Sequence, residues 1–468
     1  MIYSSRRDQE ALVVNLDGTL IRSEMKFEEF FGGGAAVNWA RIFGRLPARA
    51  ADLDVALLPY NEEVVAFIRG WRADGGRTIL VAATDQALTE QIAAHLGVFD
   101  EVYGSAEKIR LEGSQKAAFL TGHFGDRGYT YMGHAAEDLP VWEKSSRAIT
   151  VDAPATVRTR VAAMDLEASH LKTERRSSAL SYLKALRPHQ WLKNALVFVP
   201  MLAAHQITAD SFWQAFLAFI IFSLVASSVY ILNDLLDLAS DRAHPRKRNR
   251  PFAAGIVPIA HGTWLAPLLL FAGLVIAFPL GRHFILVMLA YWVATTIYSL
   301  YIKQKIIIDI VTLAGLYTLR IVAGGVATGI PLSVWLLAFA IFIFFALASV
   351  KRQAELVDSV AADALQIQGR GYEAGDQPLV ANMAIASGYV SVLVLALYVN
   401  SPDVLELYRN PAALWGICLV LLYWISRLVM VTHRGAMHDD PLVYAVTDPV
   451  SQVCFLIVLA FVIGGTLI

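Results

Sequence analysis

FWQAFLAFIIFSLVASSVYILNDLLDLASD, residues 212–241, begins as an uninterrupted apolar run and closes on Asn233, Asp234, Asp237 and Asp241. As a helix, the run from Phe212 to Leu232 is long enough to cross a hydrocarbon core of about 30 Å. Its polar end therefore stands where a membrane helix meets water. On that helix the spacing i, i+3, i+7 places Asp234, Asp237 and Asp241 on one face, with Asn233 one turn from Asp237. Such a face repels itself unless a cation neutralises it. Carboxylate and amide oxygens are hard ligands, which favours Mg²⁺ shared with a phosphate-bearing substrate over a thiolate-seeking metal. The alternative for these aspartates is a solvated loop face.

Apolar runs of this kind recur from Trp191 onward. They lie near residues 194–204, 212–232, 264–280, 284–301, 306–326, 334–350, 379–399, 412–431 and 443–468, giving about nine transmembrane helices, of which the first is short. Basic residues gather after the even-numbered runs: Arg242, Arg246, Lys247, Arg248, Arg250, Lys303, Lys305, Lys351, Arg352, Arg370 and Arg434. The opposite loops hold mainly Arg282 and Arg409. This asymmetry predicts that the even loops and the amino terminus face the cytosol and that Ile468 lies outside. Asp234 to Asp241, and Lys351, Arg352 and Glu355 after the sixth run, then share the cytosolic side. Asp309 and Arg320 sit within the fifth run, where ionisable groups are costly and usually functional. A structural Asp309–Arg320 pair is the other reading.

The first 160 residues are of a different kind, so the overall 56% hydrophobic content and mean hydropathy of +0.51 average two unlike parts. Ala11 to Leu16, Thr78 to Ala83 and Tyr129 to Met132 are strand-like, each followed by a turn signal and alternating with helical patterns, the rhythm of a parallel α/β sheet. A net charge of −1 gives no basic bias toward nucleic acid, so phosphate binding must come from local clusters. Cys418 and Cys454 are the only cysteines and both lie in apolar runs, which excludes a disulfide framework and a cysteine metal site. The opening MIYSSRRDQE has no apolar core of a secretory signal, so the first domain is expected to stay in the cytosol. Residues 156–184 read as a linker and a short helix. Leu180, Leu183 and Leu186 beside Lys184 and Arg187 suit either the membrane interface or packing on the first domain.

Within the first domain, Asn15-Leu16-Asp17-Gly18-Thr19-Leu20, Thr84 at a strand end, Lys116, and Gly133-His134-Ala135-Ala136-Glu137-Asp138 resemble the four motifs of the haloacid dehalogenase (HAD) superfamily. The resemblance implies an α/β, Rossmann-like fold over most of the first 150 residues. It departs from the family at the two positions that matter for chemistry. Asn15 stands where the family has its nucleophilic aspartate, and an amide oxygen is a poor nucleophile and a weaker metal ligand. His134 stands where the family supplies a further metal carboxylate. Residues 1–155 are therefore expected to be a catalytically inactive domain with a structural, regulatory or docking role.

Residues 185–468 resemble the UbiA superfamily of membrane transferases, whose first signature, Asn-Asp-x-x-Asp-x-x-x-Asp, is matched by Asn233 to Asp241 and followed by Arg250-Pro251. Arg187-Pro188-His189-Gln190-Trp191-Leu192-Lys193-Asn194, Tyr298-Ser299, Tyr317-Thr318-Leu319-Arg320, Lys351-Arg352-x-x-Glu355 and Arg370-Gly371-Tyr372 resemble the decaprenyl-phosphate phosphoribosyltransferase branch. That resemblance implies Mg²⁺-dependent transfer of 5-phosphoribose from phosphoribosyl diphosphate (PRPP) to a polyprenyl phosphate. Asp234, Asp237 and Asp241 would hold the metal, with Asn233 and Arg250 beside them. Lys193, Asn194, Tyr298, Lys303, Arg320, Lys351, Arg352, Glu355, Arg370 and Tyr372 would contact the substrates. The second aspartate-rich motif of UbiA prenyltransferases is absent in its usual form, and Lys351, Arg352 and Glu355 occupy the equivalent place. Prenyl transfer to an aromatic acceptor and a non-enzymatic lipid-binding scaffold are the competing readings. Lys193 reads equally as a membrane-boundary anchor beside Trp191. The expected architecture is a multi-pass α-helical membrane protein, a UbiA-like bundle, carrying an N-terminal HAD-like domain.

Overall fold

The computed structural model describes residues 11–32, 53–106, 110–173, 178–361, 370–437 and 440–467; the first ten residues and Ile468 lie outside them. The chain forms two compact units, Met1–Leu186 with Tyr230–Ala266, and Arg187–Val229 with Pro267–Ile468.

In the first unit, strands β1 (Ala11–Asn15), β2 (Arg77–Asp85), β3 (Glu101–Ser105), β4 (Tyr129–Gly133), β5 (Arg147–Val151) and β6 (Glu167–Leu171) form a parallel sheet of order β3-β2-β1-β4-β5-β6. β1 reads ALVVN without polar alternation because it is central and buried on both faces. Successive side chains of a strand point to opposite faces. Leu12 and Val14 accordingly join Val64 and Ile68 of α2 (Glu62–Ala73) and Leu88 and Ile92 of α3 (Gln86–Leu96). Ala11 and Val13 join Leu120 of α4 (Gly113–Phe124), Trp142, and Val157 of α5 (Ala155–Ala162). The short α1 (Met25–Phe31) follows the turn after β1.

The sheet runs further along the chain than the sequence suggests. α5 and β6 fall within the stretch expected as linker, and β6 pairs with β5 from Arg147↔Glu167 to Val151↔Leu171. The strand EASHL is half-exposed at the sheet edge and carries no apolar alternation strong enough to mark it. α6 (Ala179–Leu186) is the short helix expected there, with Leu180 and Leu183 exposed and the Tyr182 hydroxyl 2.6 Å from His261 Nδ1.

The second unit is helical. α7 (Ala209–Leu236), α9 (Ile259–Ala277), α10 (Gly281–Leu300), α11 (Ile308–Thr328), α12 (Val334–Ala361), α13 (Gln377–Val399), α14 (Trp415–His433) and α16 (Pro449–Leu467) supply its apolar runs, and the unit boundary falls inside α7 and α9. Phe271, Leu286, Leu419 and Phe455 are among many large apolar side chains left exposed, as a surface solvated by lipid requires.

Among the described residues, seven helical stretches are long and apolar enough to cross a membrane, and the expected count of nine is not confirmed. The run at 194–204 is not among the seven, because Pro188 to Phe198 forms a 3₁₀ segment followed by the five-residue helix Val199–Ala203. α9 and α10 are joined through the 3₁₀ turn Phe278–Leu280 into one stretch, Ile259–Leu300, of 42 residues. α9 has 19 residues and α10 has 20, each about 30 Å long at 1.5 Å per residue, so the expected runs at 264–280 and 284–301 form two helices that each match the hydrocarbon core.

Candidate functional site

The aspartate-rich segment belongs to the first unit. α7 ends just after Asp234, and Asp237, with φ −92° and ψ 14°, breaks the helix before α8 (Leu238–Ala243). The i, i+4 hydrogen bonds nevertheless continue, Asp237 N–H to the Asn233 carbonyl at 2.9 Å and Asp241 N–H to the Asp237 carbonyl at 2.8 Å. The helical spacing therefore survives the break. Arg250, which follows the turn Lys247–Asn249, donates from one Nη1 to Asp241 Oδ2 at 2.5 Å and to Asp234 Oδ1 at 3.2 Å. Asp234 and Asp241 are buried, whereas Asn233 and Asp237 are half-buried. Burial raises the Asp241 carboxyl and Arg250 opposes it.

No group of three metal-ligating side chains stands gathered among the described residues. What the structure brings together is a pair, Asp234 and Asp241, on one guanidinium. The donor set still fits a hard divalent cation. Two buried carboxylates and a third one turn away outnumber Arg250, and all the donor atoms are oxygen.

Arg242, directly after Asp241, makes a two-pronged ion pair with Glu28 of α1, Nη1 to Oε2 at 2.6 Å and Nη2 to Oε1 at 2.8 Å, and its Nε donates to the Ala253 carbonyl at 3.0 Å. Sequence reading did not single out Glu28. Nothing in EEFF around it marks a partner 214 residues away.

The HAD-like motif residues line a cavity of about 520 Å³, with Asn15, Asp17, Thr84, Lys116, His134 and Asp138 all present. Lys116 donates to Asn15 Oδ1 at 2.7 Å, and Asp138 accepts from the Tyr131 hydroxyl at 2.7 Å and from the His134 and Ala135 amides. Thr84 donates to Glu29 at 2.6 Å, and Asp17 Oδ1 accepts the Met25 amide at 2.6 Å. Burial lifts Asp17 to about 6 against that amide bond and Lys116. Gly18, at φ +63°, lies flat against the His134 ring, where any Cβ would collide.

In the second unit, Lys193 and Lys351 both reach Asp440 Oδ2, at 2.6 Å and 3.1 Å, and the Tyr317 hydroxyl lies 3.4 Å from the same atom. Two ammonium groups share one carboxylate. Burial works against the Asp440 charge, but Lys351 and Lys193 outweigh it and hold the carboxyl well below its usual range. Burial and the nearby Lys351 push Lys193 down to about 8. Asp440 was not among the expected site residues. Its one signal is local: Asp440 before Pro441 is a helix start, and its Oδ1 accepts the Leu442 amide of α15 (Pro441–Thr447) at 3.2 Å.

Asp309 does not pair with Arg320. It takes Arg352 Nη2 at 2.6 Å and the Tyr372 hydroxyl at 2.7 Å. Glu355 takes Arg352 and, at 3.5 Å, Arg370, which also donates to the Tyr298 hydroxyl at 3.1 Å and the Lys303 carbonyl at 3.3 Å. The expected residues Tyr298, Arg352, Glu355, Arg370 and Tyr372 thus form one network, which Lys303 enters through its backbone. Arg320 is engaged elsewhere, donating to Asn194 Oδ1 at 2.9 Å, the Leu316 carbonyl at 2.6 Å and the Tyr291 hydroxyl at 2.7 Å, while Asn194 donates to Ser223 at 3.1 Å.

The profile of the UbiA prenyltransferase family matches residues 195–432, half of the chain. The chain belongs to the UbiA prenyltransferase family. It is a membrane enzyme of the prenyltransferase type, multi-pass, with a haloacid dehalogenase-like hydrolase profile matching residues 12–132 in front of its UbiA part. A relative named uncharacterized protein y4nM, of Sinorhizobium fredii, is 35% identical over 94% of this chain and 88% of its own length. Nodulation protein NoeC of Azorhizobium caulinodans is 41% identical over 59% of this chain and 90% of its own. The decaprenyl-phosphate phosphoribosyltransferase of Mycolicibacterium smegmatis is 39% identical over 41% of this UbiA chain, which spans 64% of that relative.

Proposed function

We propose that this chain transfers 5-phosphoribose from PRPP to a polyprenyl phosphate and releases diphosphate. One observation carries the reading: two ammonium groups, that of Lys193, which is buried, and that of Lys351, which is half-buried, converge on the one carboxylate of Asp440. A buried cation in excess of its partners is stabilised by a bound anion. Prenyl transfer to an aromatic acceptor, the reading favoured by the family's name, brings one diphosphate, which the aspartates would hold through a metal. A second, cation-rich site calls for a further phosphate. PRPP with a polyprenyl phosphate brings a diphosphate and two separate phosphates. The relative named decaprenyl-phosphate phosphoribosyltransferase supports this reading.

An apolar groove of about 790 Å³, lined by Leu192, Leu196, Leu421, Trp424, Phe455 and Val458 with Lys193 on its wall, suits an isoprenoid tail whose phosphate meets Lys193. Asp234, Asp237 and Asp241 would hold Mg²⁺, which when bound neutralises the diphosphate as it leaves. Arg250, already between Asp234 and Asp241, stands ready to share that charge. The bond between the anomeric carbon and the diphosphate oxygen breaks with its electron pair on diphosphate. A lipid phosphate oxygen then forms the new bond to that carbon. The nucleophile is already an anion, so no strong base is required, and catalysis rests on positioning and electrostatics. Arg352, Arg370 and Tyr372 are assigned to the remaining phosphate. The Lys and Arg asymmetry supports a cytosolic N-terminal domain and active site in the inner membrane, with the C-terminus outside.

Purified full-length protein with Mg²⁺ is expected to make a phosphoribosyl lipid from PRPP and polyprenyl phosphate, and to leave geranyl diphosphate and 4-hydroxybenzoate unreacted. Asp234→Ala is expected to abolish the activity. Prenylation of the aromatic acid, or full activity in Asp234→Ala, would reject the assignment.

A further inference from the structure

We propose that Glu28, in the α/β domain, is a positioning residue for the aspartate-rich segment: by pairing with Arg242 it removes a cation that would otherwise offset the aspartates. The inference rests on the reading of Asp234, Asp237 and Asp241 as holders of a divalent cation. Arg242 is the immediate neighbour of Asp241 on α8, and its side chain is only 6% exposed, with Glu28 fully buried. A guanidinium cannot lose its proton at any ordinary pH, so at this site its charge must be matched or it acts on whatever anions are near. Glu28 matches it through both oxygens, and the Ala253 carbonyl takes Nε. Arg242 is thereby tied to the stretch that follows Arg250, and both flanks of the Arg250 turn are fixed. Arg250 then stands between Asp234 and Asp241, with the charge of Lys247 also acting on Asp241.

The place of Glu28 is itself set by the α/β domain. α1 starts at Met25, whose amide bonds Asp17, and Glu29 next to Glu28 accepts Thr84. Residues that line the α/β cavity thus hold the helix that silences Arg242. The domain that lacks a nucleophile serves the aspartates by charge balance.

In Glu28→Gln the carboxylate becomes an isosteric amide, and Arg242 is left as a second cation beside Asp241. The test is Mn²⁺ binding to full-length protein in detergent, followed by electron paramagnetic resonance, with thermal unfolding as the control for folding. Wild type is expected to bind Mn²⁺ and Asp234→Ala to lose it. Glu28→Gln is expected to weaken binding on the order of tenfold, the effect of one nearby unit charge in a partly screened site. Glu28→Gln with Arg242→Gln, neutral at both positions, is expected to return to within about threefold of wild type. A purely structural pair would lower the unfolding temperature of the single variant without moving the Mn²⁺ affinity of the folded protein. That result, or a folded double variant that binds as weakly as Glu28→Gln, overturns the proposal. Should Glu28→Gln not fold, the double variant alone decides it by the same criterion. Wild type that binds no Mn²⁺ defeats the metal reading itself, an outcome distinct from equal binding by wild type and Glu28→Gln.

Discussion

Lys193 links the site to pH. Its ammonium, pushed down to about 8 by burial and by Lys351, is charged at neutral pH and loses its proton in the mildly alkaline range. Substrate binding that needs this charge is expected to weaken as pH rises through about 8, seen as a rising KM, and Lys193→Arg is expected to remove that rise. Stability moves the other way. Between about 8 and the ordinary lysine value the unfolded chain binds the extra proton, so folding gains with rising pH across that window. Lys193→Ala is expected to weaken binding of its phosphate ligand by about tenfold to a hundredfold, the range for a charge-assisted hydrogen bond. Asp17 is the opposite case, an acid lifted to about 6 by burial. Its folded form holds a proton that the unfolded chain has released, so stability falls as pH rises from 3.8 toward 6. Asp17→Asn is therefore expected to raise the unfolding temperature at pH 7.5 and to change it little at pH 3, below both values, by calorimetry. Of the candidate site residues, the aspartates and the Lys351–Arg352–Glu355 group drew notice in the sequence because charge inside or beside an apolar run needs a reason. Asp440 and Glu28 were not, since each earns its role from partners 247, 89 or 214 residues away.

Close packing of elements is decided by single atoms. At Gly324 of α11 a Cβ would stand 2.0 Å from the Val197 carbonyl oxygen of the 3₁₀ segment that carries Lys193 and Asn194. Gly324→Ala is expected to push that segment away, loosen the Arg320–Asn194 contact and lower both the unfolding temperature and the affinity for the lipid substrate. Gly122 on α4, where an added Cβ meets nothing within 4 Å, is the control, and Gly122→Ala is expected to leave the affinity unchanged and to hold or slightly raise the unfolding temperature. Elements with a dense apolar signal were readable, as β1 and α7 show. The winding of the 188–204 stretch was not readable because its apolar content is that of an ordinary helix, while it forms a 3₁₀ segment and a short helix with Pro188 and Pro200 at their starts, and its Asn194 meets Arg320 and Ser223. β6 was missed because an edge strand half in solvent needs no apolar face.

At the scale of the molecule, domain order along the chain and domain order in space differ. The first compact unit takes in Tyr230–Ala266 from the middle of the UbiA part. A chain lacking residues 1–177 is expected to insert in membranes and yet bind Mn²⁺ weakly, because Arg242 has lost Glu28. Supplying residues 1–177 separately and restoring binding would show that the missing partner, rather than chain length, is at fault. Sequence could reveal two domain types from their patterns, but not that they share a segment, since that depends on contacts no local pattern encodes.

The pairing of Glu28 with Arg242 also imposes an order on biosynthesis. At the usual pace of about 5–20 residues per second, the ribosome needs roughly 10–40 s to travel from Glu28 to its partner. Through that interval α1 carries a carboxylate destined for burial with nothing to bury against, while α7 must already be entering the bilayer. The α/β domain therefore waits on the synthesis of α8 for this contact. Nascent chains halted before residue 242 should be cut by protease near α1, and chains halted well beyond it, with residues 230–266 clear of the exit tunnel, should resist.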